Sequence, residues 1–571
     1  MKGIGVSPGI SIGKACIIKK KEAVLTGITL QGEEEIAIEI LRFEQAVAQA
    51  ILEIETIKAN ETLNLGEEDI AILETQIEFL GDPQIKEDML DLITGNRKNA
   101  NDALIAVIAS MVELFESLDD EYMRARAADI QDIGNRISKH LHPNGNSALQ
   151  KFEADSIIIA EDIAPSDTIT MDIKQVIGFA TQAGSKTSHA AIIAKSKGIP
   201  AIVGCGESLK AILDNDTIIM DGQTGLIYVN PDQELLEEYI AKRTAYQVKH
   251  ESLKALKDLP SQTSDGERVT LLANISGAED MEEVFEHGGE GAGLLRTELL
   301  FMNRNSFPSE EEQFEFYKQA AIKARGKEVI VRTIDIGGDK NLPYFNLPAE
   351  LNPFLGYRAI RICLDQKDIF ITQLKAILRA APYGDLKIMF PMISNIQEIR
   401  AAKAVLEEAK AELKVQGVPF SEIIKVGIMI EIPSAAITAD LLAKEVDFFS
   451  IGTNDLCQYT LAVDRMNEKI THLYDPFNPG VLRLIQFVIK AGHEHQIPVA
   501  MCGEMASDPM ATLLLIGMGL KEFSMSAAAI PAIKNIIIRN SLSKAKEIYA
   551  EIKQMDSSAD IISYLAHQHY D

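Results

Sequence analysis

Val426-Gly427-Ile428-Met429-Ile430 runs into Glu431, and Asp447-Phe448-Phe449-Ser450-Ile451 runs into Gly452-Thr453-Asn454-Asp455. Each is a short apolar run that stops abruptly at polar or acidic residues, the pattern of a buried strand feeding a loop. A helix-forming segment separates the two, and the same unit recurs on both sides. Upstream lie Val269-Thr270-Leu271-Leu272-Ala273, Gly291-Ala292-Gly293-Leu294-Leu295, Val329-Ile330-Val331 and Lys387-Ile388-Met389-Phe390. Downstream lie Pro498-Val499-Ala500-Met501 and Glu522-Phe523-Ser524-Met525. Eight strands alternating with helices over residues 262–571 predict a (β/α)8 TIM barrel with insertions.

In such a barrel the active site is built at the carboxyl ends of the strands. The residues just past each run are rich in ionisable groups: Arg296-Thr297-Glu298, then Arg332 through Asp335 to Lys340, then Glu431, Asn454-Asp455 and Cys502-Gly503-Glu504, with Arg358 and Arg465 nearby. One arginine alone reads as a surface cation, but several cations around one mouth make a site for a small polyanion. The planar guanidinium suits carboxylate or phosphate. Glu431 and Asp455 are hard oxygen donors suited to Mg2+ shared with substrate oxygens. Cys502 reads equally as a small buried hydrophobe or as a group exchanging a proton with a carbon centre.

The other chemistry-bearing stretch is Gly184-Ser185-Lys186-Thr187-Ser188-His189-Ala190-Ala191-Ile192-Ile193-Ala194-Lys195. Small hydroxylated residues precede an imidazole and a helix-compatible apolar stretch follows it, a setting that suits a transferred phosphate. A neutral imidazole is an available nucleophile. Strand-like runs flank it: residues 1–20, Ser156–Ala160, Val176–Ala180, Pro200–Gly204 and a hairpin over Thr217–Val229. These predict a small α/β domain from residues 1–30 and 145–230. Residues 31–144, with Ile36, Ile40, Phe43 and Val47 at helical spacing, predict a helical bundle inserted into it. Residues 231–261 read as a helical linker, ending at the Pro260–Gly266 boundary.

The chain has 571 residues, 46% of them hydrophobic, and a formal charge of −28. That charge argues against nonspecific nucleic-acid binding and favours docking of a basic protein partner. The five cysteines are isolated, without a Cys-x-x-Cys pair, which argues against a disulfide framework or structural zinc. The N-terminus lacks the apolar core of a signal peptide, and no apolar run reaches the ~18 residues of a membrane span. A cytoplasmic protein without membrane insertion is expected.

Jointly, Thr187-Ser188-His189-Ala190-Ala191, the Arg-Thr-Glu and Asp-Ile-Gly-Gly-Asp-Lys runs, Ser450–Leu456 and Met501-Cys502-Gly503-Glu504 resemble Enzyme I, the phosphoenolpyruvate–protein phosphotransferase family of the bacterial sugar phosphotransferase system. The resemblance covers essentially the whole chain in family order. It implies a swivelling phosphohistidine domain, and a barrel that binds phosphoenolpyruvate with Mg2+. His189 would attack phosphorus, pyruvate would leave as its enolate, and the group would pass to the carrier protein HPr. It further implies that Arg296, Arg332 and Arg465 hold the substrate's phosphate and carboxylate, assisted by Lys340 and Arg358. Asn454 would hydrogen-bond substrate, Glu431 and Asp455 would ligate Mg2+, Cys502 would protonate the enolate, and Thr168 would hydrogen-bond the His189 ring. The helical insertion, with Glu67 and Glu68, would dock HPr, and the barrel would form a homodimer.

The sequence departs from the family pattern at Ser185-Lys186 and at Lys195, where arginine is common and the bidentate fork is lost. It departs also at Cys457 and Met466. The dikinase and synthase relatives need a nucleotide-binding domain for which the chain has no room, and no Walker-type loop is present. The resemblance begins near residue 1, without the sensory domain of the nitrogen-regulatory paralogue. A non-catalytic scaffold of the same fold is disfavoured by the intact set of ionisable groups.

Overall fold

The computed structural model of the chain describes residues 1–18, 25–58, 67–116, 121–141, 155–161, 175–184, 191, 194, 199–302, 304–338, 340, 342, 344–345, 347–348, 350–467 and 469–568, with the backbone alone at 67–72, 116, 121–129 and 249–250. It divides into two compact units, Met1–Lys249 and His250–Asp571.

The first unit is built on a mixed seven-stranded sheet ordered β1-β5-β4-β3-β2-β6-β7. Its strands are β1 (Ile4–Ser7), β2 (Ile10–Ile18), β3 (Ser156–Ala160), β4 (Val176–Thr181), β5 (Ala201–Val203), β6 (Thr217–Asp221) and β7 (Leu226–Val229). Strands β2 to β5 are parallel neighbours; β3 and β5 are buried throughout and β4 nearly so, and their unbroken apolar runs follow from that, whereas β2 buries only Ser11 and Ala15. Between β2 and β3 the chain forms α1 (Glu33–Lys58), α2 (Glu67–Leu80), α3 (Pro83–Thr94), α4 (Ala100–Glu116) and α5 (Glu121–Leu141). Helix α1 buries Phe43, Ala46, Ala50, Ile54 and Ile57, a stripe at helical period that fills the bundle core. Helix α3 starts where Asp82 accepts from the Gln84 N–H and Pro83 takes the first helical position, whose N–H needs no partner. His189 belongs to the connection between the parallel neighbours β4 and β5. His189 and Thr168 both lie outside the described residues.

Helix α6 (Gln233–Lys254) begins at Asp232, whose carboxylate accepts from the Leu235 N–H. The second unit is a closed parallel barrel of β8 (Thr270–Ile275), β9 (Ala292–Arg296), β10 (Glu328–Arg332), β11 (Asp385–Phe390), β12 (Lys425–Ile430), β13 (Phe448–Ile451), β14 (Val499–Met501) and β15 (Glu522–Met525). All eight expected runs are strands, and β15 closes onto β8. Alternation sorts each strand into two faces. Outward residues such as Leu271, Val329, Val331, Ile388 and Ile428 join the large core under the helices. Leu294, Ile330, Met389, Met429, Phe448 and Cys502 form a separate cluster inside the barrel.

Candidate active site

The period of two that fills the barrel also builds its mouth. Leu294, Ile330 and Met429 face inward, so the residues two further on, Arg296, Arg332 and Glu431, emerge on the same side at the strands' carboxyl ends. Arg296 and Arg332 are the last residues of their strands, and Glu431 and Cys502 are the first residues past theirs. Together with Lys340, Arg358, Asn454, Asp455 and Arg465 they line one cavity of about 720 Å3. Nine of the sequence-derived site residues are thus brought together in a single unit.

Two carboxylates that sequence reasoning quoted without assigning a role organise the cations. Asp335 lies 3.3 Å from Arg332, 3.2 Å from Lys340 and 3.0 Å from Arg358. Glu298 pairs with Arg332 and lies 3.2 Å from Lys340. Burial alone would raise the Asp335 carboxyl, but Arg332, Arg358 and Lys340 outweigh it and hold the group far below the usual carboxylate range. Burial likewise works against the charge on Arg332, and Glu298 and Asp335 overcome it. Arg332, Lys340 and Arg358 are therefore locked in a buried network. Arg296 and Arg465 line the cavity without an ion pair among the described residues. They are the cations with charge to spare, and an incoming phosphate or carboxylate can pair with them in bidentate fashion.

The acidic side of the cavity is strained electrostatically. Glu431 is fully buried; burial and the neighbouring Asp455 and Asp335 push its carboxyl up to about 8. One of its oxygens accepts from the Met392 N–H at 2.5 Å. The Oδ1 of Asp455 is buried with no hydrogen-bond partner, while its Oδ2 lies 3.6 Å from Arg358. A hard divalent cation between these two groups would relieve both the repulsion and the orphaned oxygen, so the donor set fits one. No cluster of three or more His, Cys, Asp or Glu ligands occurs among the described residues, so such a cation would complete its shell with substrate or water oxygens.

The mouth is not uniformly basic. Five cations and five carboxylates line it: Arg296, Arg332, Lys340, Arg358 and Arg465 against Glu298, Asp335, Glu431, Asp455 and Glu504. The site is polarised, with two arginines unpaired among the described residues and a cation-seeking acid pair.

Cys502 sits where the apolar barrel interior meets this charged mouth. Burial pushes its thiol up, against the pull of Arg332, so it is protonated at neutral pH. Its carbonyl accepts from Asn274 Nδ2 at 3.0 Å, and Asn274 Oδ1 accepts from Ser524 Oγ at 2.7 Å. On the other side Asn454 Oδ1 accepts from the Glu504 N–H at 2.9 Å. Gly503 completes the fixation, since a Cβ there would overlap Thr453 Oγ1. Asn274 carried no signal in the sequence beyond being a polar residue at an inward strand position.

Residues 250–542 match the family described as PEP-utilising enzyme, PEP-binding domain; residues 152–225 match its mobile domain and residues 2–126 its N-terminal part. The chain is 46% identical over 565 residues to a phosphoenolpyruvate-protein phosphotransferase of Priestia megaterium, covering 99% of this chain and 98% of that one. It is 44% identical to the phosphoenolpyruvate-protein phosphotransferase of Bacillus subtilis (strain 168), covering 99% of each. It is also similar to a solved NMR structure of an Enzyme I protein, 37% identical, with a TM-score of 0.38 over 43% of this chain and 99% of that one. The chain belongs to the phosphoenolpyruvate-protein phosphotransferase family.

Proposed function

We propose that the chain takes the phosphoryl group of phosphoenolpyruvate onto His189, releases pyruvate, and passes the group to a histidine of the carrier protein HPr, the first step of phosphotransferase-dependent sugar uptake. The observation that carries this reading is that Arg296 and Arg465, without an ion pair among the described residues, line one cavity with the buried Cys502 thiol. Arg296 and Arg465, with Arg332 behind them, bind the substrate's phosphate and carboxylate; Lys340 and Arg358 hold the shared carboxylates in place, and Asn454 orients the substrate. Glu431 and Asp455 would hold Mg2+, which when bound neutralises charge on substrate oxygens.

Nε2 of His189 attacks phosphorus in line as the bond from phosphorus to the enol oxygen breaks, and the fixed cations stabilise the charge that develops. The enolate carbon then takes the proton of Cys502 Sγ, giving pyruvate, and solvent returns a proton to the thiolate. Thr168 hydrogen-bonds the His189 ring. In this reading residues 1–30 and 145–230 form the phosphohistidine domain and residues 31–144 the HPr-docking bundle. Residues 231–261 form the linker, and residues 262–571 form the substrate and dimerisation domain of a cytoplasmic homodimer. Among the described residues no helix is long and apolar enough to cross a membrane, which is compatible with that setting.

The test is labelling of purified protein with 32P-phosphoenolpyruvate and Mg2+, followed by addition of HPr. Label is expected on the wild type, absent from His189→Ala, and chased onto HPr. Full labelling of His189→Ala would remove the assigned nucleophile.

A further inference from the structure

The barrel has a second cavity, of about 310 Å3, at its other end. It is lined by residues that precede strands: Arg268 before β8, Gly288 to Glu290 before β9, and the Lys257–Pro260 segment that follows helix α6. None of these belongs to the mouth where the strands end.

Lys534, on α7 (Ile530–Arg539), faces this cavity and is only 2% exposed. A fully buried lysine is normally matched by a carboxylate, because an ammonium removed from water is costly. Here Glu290 is engaged by Arg268, and the Lys257 carbonyl, 2.7 Å away, is the sole partner of the Lys534 ammonium among the described residues. Two of its three N–H donors are left over. Burial pulls this ammonium below the ordinary lysine range, with Glu290 and Asp258 acting in the opposite sense. The approach to the ammonium is kept open by Gly288, at φ 77°: a Cβ there would stand 3.1 Å from Nζ.

The lining charges are Lys257, Arg268 and Lys534 against Asp258 and Glu290, one positive charge in excess. A dianion would meet the two carboxylates, whereas a monoanion balances the site. The remaining wall is apolar, from Phe285, Leu259 and Pro260. We propose that this cavity binds a small amphiphilic monocarboxylate, its carboxylate on the Lys534 ammonium and its hydrocarbon body against Phe285, Leu259 and Pro260. The site lies where the chain enters the barrel from helix α6, so an occupant would tie the Lys257–Pro260 segment to the barrel's first strands.

Butanoate is the probe, titrated calorimetrically into the full-length protein. Saturable binding with a Kd on the order of 1 mM is expected for a ligand of this size. Lys534→Met should weaken it at least tenfold. Leu259→Glu should do the same by placing a carboxylate of the chain's own in the cavity; Leu259 is 46% exposed, so this variant decides the matter even where Lys534→Met does not fold. The double variant Arg296→Ala/Arg465→Ala, at the other end of the barrel, should bind as the wild type does. Absence of saturable binding to the wild type, undiminished binding by Leu259→Glu, or loss of binding in the Arg296/Arg465 variant would each overturn the proposal.

Discussion

Asp335 is within ion-pair distance of Arg332, Lys340 and Arg358, one buried carboxylate shared by three cations. Removing one member of such a network leaves uncompensated buried charge, which costs about 3–5 kcal/mol. Asp335→Asn should therefore lower the unfolding free energy of the barrel by that order, read from denaturant titration, and should raise KM for phosphoenolpyruvate as the freed cations reorient. Cys502 is expected to behave differently. With the thiol replaced in Cys502→Ala, substrate binding should change little while pyruvate release slows by about 10²–10⁴-fold, the usual share of a proton donor. Comparing single-turnover His189 labelling with pyruvate formation separates the two steps, and equal rates in the variant would remove the donor role. At this scale the sequence was informative about type: several cations gathered at strand ends read as an anion site, although one arginine alone does not. It was silent about pairing. Glu298 and Lys340 are brought together by two different strand-end loops, and no spacing rule links them.

At the level of elements, the turn after β14 depends on a contact that only glycine allows. Gly503→Ala would drive a methyl into Thr453 Oγ1, and overpacking of this kind costs about 1–3 kcal/mol. Its effect should appear as slower pyruvate release, since the same turn carries Cys502. The helical bundle offers a pH test. Glu53 of α1 lies 3.3 Å from Arg136, 3.0 Å from Lys139 and 2.8 Å from His140, all of α5. Burial raises its carboxyl, but Lys139, Arg136 and His140 outweigh burial and hold it below the usual range. A carboxyl lowered by folding contributes stability that is fully present above its unfolded value, ~4.3, and is lost as pH falls through the folded one. Opening of α1 and α5, read as loss of amide protection, should therefore show an acid-dependent increment as pH falls below ~4.3 in the wild type. In Glu53→Gln that acid-dependent increment should be missing, the variant being weaker at neutral pH already. The helices and strands themselves were legible. The helical period read from Ile36, Ile40, Phe43 and Val47 is that of α1, where Phe43 is buried and the other three pack half-buried against the bundle core, and the eight barrel runs follow from their pattern alone.

For the molecule as a whole, the division at Lys249 and His250 implies two separable unfolding events. Phosphoenolpyruvate with Mg2+ should stabilise the His250–Asp571 transition alone, by about 2.7 kcal/mol at a hundredfold excess over Kd, leaving the Met1–Lys249 transition where it is. Scanning calorimetry with and without ligand checks this, and an equal shift of both transitions would contradict it. The charge of −28 also looks different at this scale. Within that acidic molecule the mouth sets five cations against five carboxyl groups, with Arg296 and Arg465 unpaired among the described residues. By itself the sequence determined the architecture and the roster of the mouth. Hydrophobic period fixes which face a residue takes, and a barrel puts every strand end on one rim. Only the tertiary structure decided which cations are spent on internal pairs and which are unpaired among the described residues, that Glu431 and Asp455 repel each other, and that Lys534 is buried with no ion pair among those residues. Those properties depend on distances of a few ångströms between residues far apart in the chain, and burial, which sets the strength of each charge, exists only once the barrel has closed.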